Sequence, residues 1–283
     1  MDITFYGVRG SCPCAGESYR HYGGNTSCML VEVAGDRPLV IDCGTGLRPL
    51  GEAMNATLAA EGRPMTANAL LSHLHYDHVL GLPFFSPLTH PGAEFDIYGP
   101  AQAEGPLAEV LPRVVAPPFF PVHMKEFGGT VRMIDIGNED FAIGSVKVRS
   151  RSIPHVGHTL GFRIESAGVT LAYVSDHQAP VDGSGVPEAV LELCDGVDLL
   201  VHDAQYTEAE FADKATWGHS TVGYAVRVAA ESGARRLMMY HHDPAHDDRA
   251  IDKMLGSARC QRGADRLEDI SAASDGSVVR LGA

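Results

Sequence analysis

Three histidines and one aspartate fall within a span of six residues, and this cluster constrains the fold more than any other feature of the chain. It lies in the apolar stretch Leu70–Leu82. Residues 69–72 have the composition of a short buried strand. Because alternate side chains of an extended strand share a face, we expect His73 and His75 to point one way and Leu74 to point into the core.

The side chains of this cluster are of the types that bind transition metals. His73 and His75 can hold one ion, and Asp77 and His78, in the turn that follows, can reach a second. The alternative is a histidine-rich surface loop. Unpaired polar groups beside so many aliphatic residues would cost several kcal/mol to desolvate. The segment therefore predicts a centre with two metal ions.

Charge and composition limit the partners of the chain. Its 283 residues are 45% hydrophobic and 20% charged, as in an ordinary soluble globular protein, and the formal net charge is −14. A polyanion would be repelled by most of such a surface, so we expect no extended nucleic acid as a partner. A small anion stays compatible, because bound metal ions reverse the local charge.

The sequence also indicates the compartment. The N-terminus enters a strand pattern at once, without a signal peptide, and no apolar run is long enough to span a membrane. The six cysteines are scattered along the chain, which favours reduced thiols over a disulfide framework. We therefore expect a cytoplasmic protein without membrane contact.

Strand and helix patterns alternate along the whole chain without a linker. Strands are predicted at residues 3–6, 28–33, 39–42, 69–72, 95–98, 131–136, 141–150, 160–165, 169–174, 199–201 and 237–240, and helices at 47–60, 104–115, 186–193, 221–231 and 247–258. This order predicts an α/β fold in which two mixed β-sheets pack face to face with helices outside (αββα), as one domain over residues 1–283.

Acids and imidazoles also recur directly beside other predicted strands. They are His155 and His158, Asp176 and His177, His202 and Asp203, and His241 and His242. Each alone is an ordinary loop residue. Because functional groups gather on the loops at one rim of a sheet, four such places together indicate one site.

These motifs, in this order, resemble those of the metallo-β-lactamase-fold hydrolases, and within them the phosphodiesterase-type branch that includes tRNase Z and cyclic phosphodiesterase relatives. The similarity covers essentially the whole chain. Its motifs are His73-Leu74-His75-Tyr76-Asp77-His78, then His155 before Leu160-Gly161-Phe162-Arg163, then Tyr173-Val174-Ser175-Asp176, then His241 after its strand, with weaker matches at 41–46, 201–204 and 218–221.

The resemblance implies a role for each ligand candidate. One metal would be held by His73, His75 and His155, the second by Asp77, His78 and His241, and Asp176 would bridge the two. Two alternatives stay open, His158 in place of His155 and His242 in place of His241. Zinc is the expected metal, with manganese and iron as alternatives.

The resemblance also implies the chemistry. A hydroxide shared by the two metals would attack phosphorus, oriented by Asp77, and His219 would bind the phosphate or protonate the leaving oxygen. His202 and Asp203 would orient a ligand imidazole. Arg9 and Asn25, in two glycine-rich loops, are candidate substrate contacts.

We expect the substrate to be a small anionic phosphodiester, such as a cyclic nucleotide or cyclic phosphate. A tRNA-processing enzyme would be expected to carry a protruding Gly/Pro-rich arm and a basic surface, and neither is evident in the sequence. Two alternatives are a thioester or ester hydrolase of the glyoxalase II type and a non-catalytic metal-containing ligand sensor. The apolar segment Pro117–Val122 is compatible with a lip over a pocket, a homodimer contact or packing on the protein's own core.

Overall fold

The architecture consists of two seven-stranded β-sheets with helices on their outer faces. The computed structural model describes residues 1–282, and all of their side chains except those of 59–61. The strand order is β14-β1-β2-β3-β4-β5-β6 in the first sheet and β13-β12-β11-β10-β9-β8-β7 in the second.

The strands of the first sheet are β1 (Asp2–Gly7), β2 (Cys28–Glu32), β3 (Leu39–Ile41), β4 (Thr66–Leu70), β5 (Glu94–Pro100), β6 (Thr130–Ile136) and β14 (Val278–Arg280). Those of the second are β7 (Glu139–Ile143), β8 (Val146–Ser152), β9 (Leu160–Ser166), β10 (Val169–Val174), β11 (Leu199–Asp203), β12 (Arg236–Tyr240) and β13 (Asp269–Ala272). The helices are α1 (Leu47–Glu61), α2 (Tyr76–Val79), α3 (Leu107–Val110), α4 (Glu188–Cys194), α5 (Glu208–Lys214), α6 (Val222–Ser232) and α7 (Asp248–Ala258).

The two sheets repeat one pairing scheme. In the first, β1 to β3 pair antiparallel and β3 to β6 pair parallel. In the second, β7 to β10 pair antiparallel and β10 to β13 pair parallel. Parallel neighbours end on the same side of a sheet, so each half offers one rim of strand ends.

Three apolar clusters separate the layers. The inner faces of the sheets meet in one core, to which β1 contributes Ile3 and Phe5 and the second sheet contributes Phe162 and Tyr173. The outer face of the first sheet packs against α1, and that of the second sheet against α4, α6 and α7. The predicted α/β class, with two packed mixed sheets and outer helices, is confirmed.

Two predicted strands differ from the structure. The strand predicted over 69–72 begins three residues earlier, at Thr66, and ends two residues earlier, at Leu70. It ends there because Ser72 turns from the sheet and donates its N–H to Asp42 Oδ1 at 2.8 Å. His73 and His75 therefore lie in a loop beyond β4. The segment 141–150 is a hairpin, β7 and β8, broken at Gly144-Ser145, where Ser145 N–H donates to the distant Asp36.

Two other expectations concern the cysteines and the membrane. All six cysteines are free thiols, as expected. Across residues 1–282, no helix combines the length and the apolar character that crossing a bilayer requires.

Candidate metal centre

The predicted ligands converge at the rim where parallel strands of both sheets end. The loop after β4 carries His73, His75, Asp77 and His78, the turn after β10 carries Asp176, the end of β12 leads into His241, and His155 comes from the β8–β9 connection. These seven side chains form two adjoining groups, and within each group the potential ligand atoms lie within 4.8 Å of one another.

The first group consists of three imidazoles. His75 Nδ1 lies 2.9 Å from His73 Nε2 and 3.3 Å from His155 Nε2. Burial lowers the pKa of all three histidines below the ordinary value. Neutral imidazoles with lone pairs facing one point are what a transition-metal ion requires.

The second group combines Asp77, His78, Asp176 and His241. His241 Nε2 lies 3.1 Å from Asp77 Oδ2, and His78 Nε2 lies 3.2 Å from Asp176 Oδ2. Burial raises the pKa of Asp77, but the imidazoles of His78 and His241 outweigh it and hold the pKa below its usual range. Both carboxylates therefore carry negative charge toward the same point.

Asp176 lies between the two groups. Its Oδ1 is 3.8 Å from Nε2 of both His73 and His155, and its Oδ2 is 3.2 Å from His78 and 3.3 Å from His241. One carboxylate thus presents one oxygen to each group.

The outward nitrogen of three of these imidazoles is held by a neighbour. His78 Nδ1 donates to Asp42 Oδ2, His155 Nδ1 to the carbonyl oxygen of Gly218 and His241 Nδ1 to Gln205 Oε1, each at 2.7 Å. These bonds place the Nε2 lone pairs toward the centre, which is the arrangement found around metal-binding histidines. The donor set therefore fits two divalent ions.

The charge balance around His78 supports the same fit. Burial disfavours its imidazolium, but the carboxylates of Asp176 and Asp77 outweigh burial and raise its pKa above the usual value. The carboxylates thus favour a cation at Nε2 of His78. A metal ion satisfies that preference as well as a proton does.

Three residues of this rim adopt a left-handed backbone conformation that residues other than glycine rarely adopt. Asp42, Asp176 and His241, each directly beyond a strand or one residue later, have φ of 58°, 55° and 61°. Each such residue costs of order 1–3 kcal/mol, and such strain clusters at functional sites. The sharp turn is what aims each side chain back over the sheet edge.

Asp42 and Gln205 are supporting residues that sequence reasoning missed. Asp42 stands in the motif 41–46, but no role followed from it, whereas the structure shows it accepting bonds from His78, Ser72 and Tyr173. Its position after β3, level with the histidine loop after β4, was the available signal. The sequence does not single out Gln205, because a glutamine or asparagine after a strand is common and indicates no particular role.

His219 lies beside the centre and is held by Asp203. Its Nδ1 donates to Asp203 Oδ2 at 2.7 Å, and its ring stacks on His241. Burial lowers the pKa of His219, but Asp203 outweighs this and raises it to about 9. Asp203, His219 and His241 also form a third group of close potential ligands, which shares His241 with the second group.

Several predicted residues have other partners in the structure. His202 does not orient a ligand imidazole as expected, because its Nε2 accepts from His177 and its Nδ1 donates to the Asp203 carbonyl oxygen. Asp203 holds His219, which is outside the predicted ligand set. His158 bonds Ser152 and the Ala101 carbonyl oxygen, away from the ligand groups.

The proposed substrate contacts serve the loops instead. The Arg9 side chain is 0% exposed, and it donates to the carbonyl oxygens of Gly23 and His246, so it cannot reach a substrate. Asn25 donates from Nδ2 to Asp275 and accepts from Thr45. The alternative ligand His242 is buried and donates to the Ala273 carbonyl oxygen.

An open cavity of about 360 Å³ reaches the centre from solvent. Its walls are Ser11, Leu74, His75, Tyr76, Asp77, Asp176 and His219. The backbone N–H of Ser11 donates to Asp77 Oδ2 at 2.7 Å, which fixes that carboxylate in the wall. A small ligand in this cavity contacts both carboxylates and His219.

Known proteins resemble the chain over most of its length. Residues 37–242 match the beta-lactamase superfamily domain. A ribonuclease Z of Natronomonas pharaonis is 24% identical over 311 aligned positions, covering 90% of this chain and 93% of that protein.

Solved structures share the fold. Zinc-bound PqqB from Methylobacterium extorquens has a TM-score of 0.71 at 19% identity, with 99% of this chain and 100% of that chain covered. A diphosphatase from the PhnP family has a TM-score of 0.65 at 21% identity, with 99% and 97% covered. At these identities the similarity establishes the architecture alone.

Proposed function

Since the chain belongs to the beta-lactamase superfamily, we propose that it is a hydrolase that cleaves a small phosphodiester with the help of two divalent metal ions. The observation that carries this proposal is the position of Asp176, with one oxygen toward each of two ligand groups. One ion would be held by His73, His75 and His155 and the other by Asp77, His78 and His241, with Asp176 shared.

Bound divalent ions would lower the pKa of water to about 7 and withdraw charge from the phosphate oxygens. The protein itself positions the reactants. Asp77, fixed by the Ser11 N–H, lines the cavity and is placed to orient the attacking water and to receive its proton. Because the carboxylate is already aligned, little reorganisation is needed on reaction.

His219 is placed to protonate the leaving oxygen. Asp203 binds Nδ1, so Nε2 is the nitrogen left for the substrate, and His219 lines the same cavity as Asp77. A positioned acid of this kind typically contributes 10²- to 10⁴-fold to the rate.

The surface charge favours a small substrate. With a net charge of −14, the chain repels a polyanion, whereas one phosphodiester needs only the local positive charge of two ions. RNA cleavage is the second candidate, because relatives such as that of Natronomonas pharaonis are named ribonuclease Z. The identity of the metal is part of the proposal, with zinc expected and manganese and iron as alternatives.

The test is hydrolysis of bis(p-nitrophenyl) phosphate by protein stripped of metal and reloaded separately with zinc or manganese. We expect metal-restored cleavage that Asp77→Asn lowers by about 10²- to 10⁴-fold. Asp182→Asn, which removes an exposed carboxylate that does not line the cavity, is the matched control and should leave the rate unchanged.

Protein shown to contain two metals per chain but unable to cleave any phosphodiester would disprove the proposal. Rapid thioester hydrolysis by that protein would then favour the glyoxalase II type, and tight ligand retention without product would favour a sensor. If RNA is the substrate, cleavage should instead be efficient on structured precursor RNA and fall steeply as salt increases.

A further inference from the structure

A second, larger cavity adjoins the candidate centre, and the proposed mechanism does not use it. Its volume is about 670 Å³. It shares four wall residues, Ser11, Leu74, Tyr76 and Asp77, with the smaller cavity at the ligand groups. A molecule whose phosphate contacts Asp77 therefore has direct access to the larger space.

We propose that this cavity binds a planar aromatic group esterified to the phosphate, such as an aryl ring or a nucleobase carried by the ester. The inference rests on the proposed phosphodiesterase function and adds the substrate class. The volume lies within the usual range for small-molecule sites, about 300–1,000 Å³.

The walls of the cavity are mainly apolar. They include Leu74, Leu80, Val110, Leu111, Val114 and Phe119. The only charged side chains among its lining residues are Asp77 and Arg113. A second phosphate or a long anionic chain would thus find one cation for its charge, while a neutral ring would cover the apolar surface.

Two aromatic side chains at this cavity are exposed without a covering partner in the described chain. Tyr76 is 71% exposed and Phe119 is 87% exposed. By contrast, the neighbouring Phe120 packs against Phe84, with ring centroids 5.9 Å apart. Within the segment Pro117–Val122, one phenylalanine therefore contacts the protein and the other stays available at the cavity.

Exposed rings favour a planar occupant over an aliphatic one. Aromatic pairs contribute about 0.5–1.5 kcal/mol beyond area burial. A guanidinium such as that of Arg113 also stacks on planar rings. The occupant that uses every part of this wall is an uncharged ring attached to the phosphate.

A cysteine in the cavity wall allows a direct test of occupancy. Cys12 lines the cavity and is an exposed free thiol, and Cys260 is a second exposed thiol that does not line it. The rate at which iodoacetamide labels each thiol is measured by peptide mass spectrometry on zinc-loaded protein. Phenylphosphonate is the probe, and methylphosphonate is the matched control without the ring.

We expect phenylphosphonate, at ten times its dissociation constant, to slow labelling of Cys12 by about tenfold and to leave Cys260 unchanged. Methylphosphonate should leave both rates unchanged. Equal labelling of Cys12 with the two phosphonates, when calorimetry shows both to be bound, would overturn the inference.

A truncation at the cavity mouth gives a second readout. Phe119→Ala should raise the inhibition constant of phenylphosphonate against bis(p-nitrophenyl) phosphate by roughly 3- to 10-fold and leave that of methylphosphonate unchanged. Val278→Ala, which shortens another exposed apolar side chain outside the cavity wall and away from the segment Pro117–Val122, is the control.

The two proposals fail in different ways. If the metal-loaded wild type cleaves no phosphodiester, the proposed function fails and this inference fails with it. If the wild type cleaves bis(p-nitrophenyl) phosphate but Phe119→Ala weakens both phosphonates equally or neither, only the aromatic subsite is refuted.

Discussion

At the scale of single residues, the buried Asp77 and Asp176 and the half-buried Asp275 have opposite electrostatic surroundings. Asp77 and Asp176 face imidazoles, which hold the pKa of both low. Asp275 instead accepts N–H bonds from Gly24 and Asn25 at Oδ2, while its Oδ1 has no hydrogen-bond partner among residues 1–282. Burial raises the pKa of Asp275 to about 6, although those bonds and Arg9 act in the opposite direction.

The raised pKa predicts a pH-dependent stability. The unfolded value is about 3.9, so the stabilisation by protonated Asp275 is complete below about pH 4 and is lost as the pH rises through about 6. The amide that Asp275→Asn introduces cannot ionise. We therefore expect the unfolding free energy of this variant relative to wild type to increase by about 1–2 kcal/mol between about pH 4.5 and 7.5.

Urea denaturation of metal-free protein at both pH values measures this difference without a contribution from metal loss. The exposed Asp265→Asn is the control and should show no such change. A difference between Asp275→Asn and wild type that stays constant with pH would contradict the assignment.

The candidate ligands were predictable from the sequence. The residues that hydrogen-bond to those ligands were only partly predictable. A histidine or aspartate beside an apolar strand is a recognisable signal, and the structure places the seven proposed ligands in two adjoining groups. The same signal also marked His158, His177, His202 and His242, which lie outside these groups. His155 is held by the backbone carbonyl oxygen of Gly218. Because every residue has such an oxygen, the sequence does not indicate this bond. The prediction that Arg9 contacts substrate is not supported, because a polar, glycine-rich loop gives no indication that its arginine is buried.

At the scale of elements, the β9–β10 hairpin has a local conflict between residue type and backbone. Ser166 pairs with Val169, so its loop consists of Ala167 and Gly168, with φ of 51° and 79°. Two positive φ values define the type I′ turn, which suits asparagine followed by glycine. Alanine at the first position carries the steric cost of the left-handed region.

Ala167→Asn should therefore stabilise the protein. The gain expected is about 1 kcal/mol, which corresponds to an increase in Tm of roughly 2–4 °C for a chain of this size. Differential scanning calorimetry measures it. Ala167→Val, with a branched side chain at the same φ, should lower Tm, and an unchanged Tm in both variants would refute the strain.

Elements were predictable wherever the signal is local. The β9–β10 hairpin and the helix α6, with its Thr221 N-cap and Gly233 after its end, follow from turn and capping chemistry. The break between β7 and β8 also has a local signal, since Gly144, with φ of 61°, begins a two-residue loop between the paired Ile143 and Val146. Only the bond from Ser145 to Asp36, over one hundred residues earlier in the chain, lies outside any local window. The end of β4 has no such local signal, because the N–H of Ser72 bonds to Asp42 at the end of another strand.

At the scale of the whole molecule, the candidate centre joins the two halves of the sandwich. The first half supplies His73, His75, Asp77 and His78, and the second half supplies His155, Asp176 and His241. Each proposed ion would draw ligands from both halves. Bound metal would therefore act as a cross-link between the sheets in addition to its role in chemistry.

Chelation should consequently lower the stability of the whole protein. Ligand at 1,000 times its dissociation constant stabilises a folded protein by about 4 kcal/mol, so we expect Tm to fall on the order of 10 °C when metal is removed. Thermal unfolding with and without a chelator, followed by zinc add-back, measures this. Asp176→Asn should shrink the difference, and identical Tm values for stripped and loaded wild type would contradict the cross-link.

The left-handed conformations of Asp42, Asp176 and His241 affect how the sequence of a non-functional duplicate of this protein would change. Glycine adopts the same φ at no steric cost, so replacing any of the three would relieve local strain. The replacement would remove a proposed ligand at Asp176 or His241, and the support of His78 at Asp42. In a gene duplicate that is no longer selected for this site, glycine or asparagine at these three positions would lower the strain. We therefore expect such substitutions to accumulate there first. Substitutions there would mark a descendant that keeps the two packed sheets and has lost the proposed metal centre.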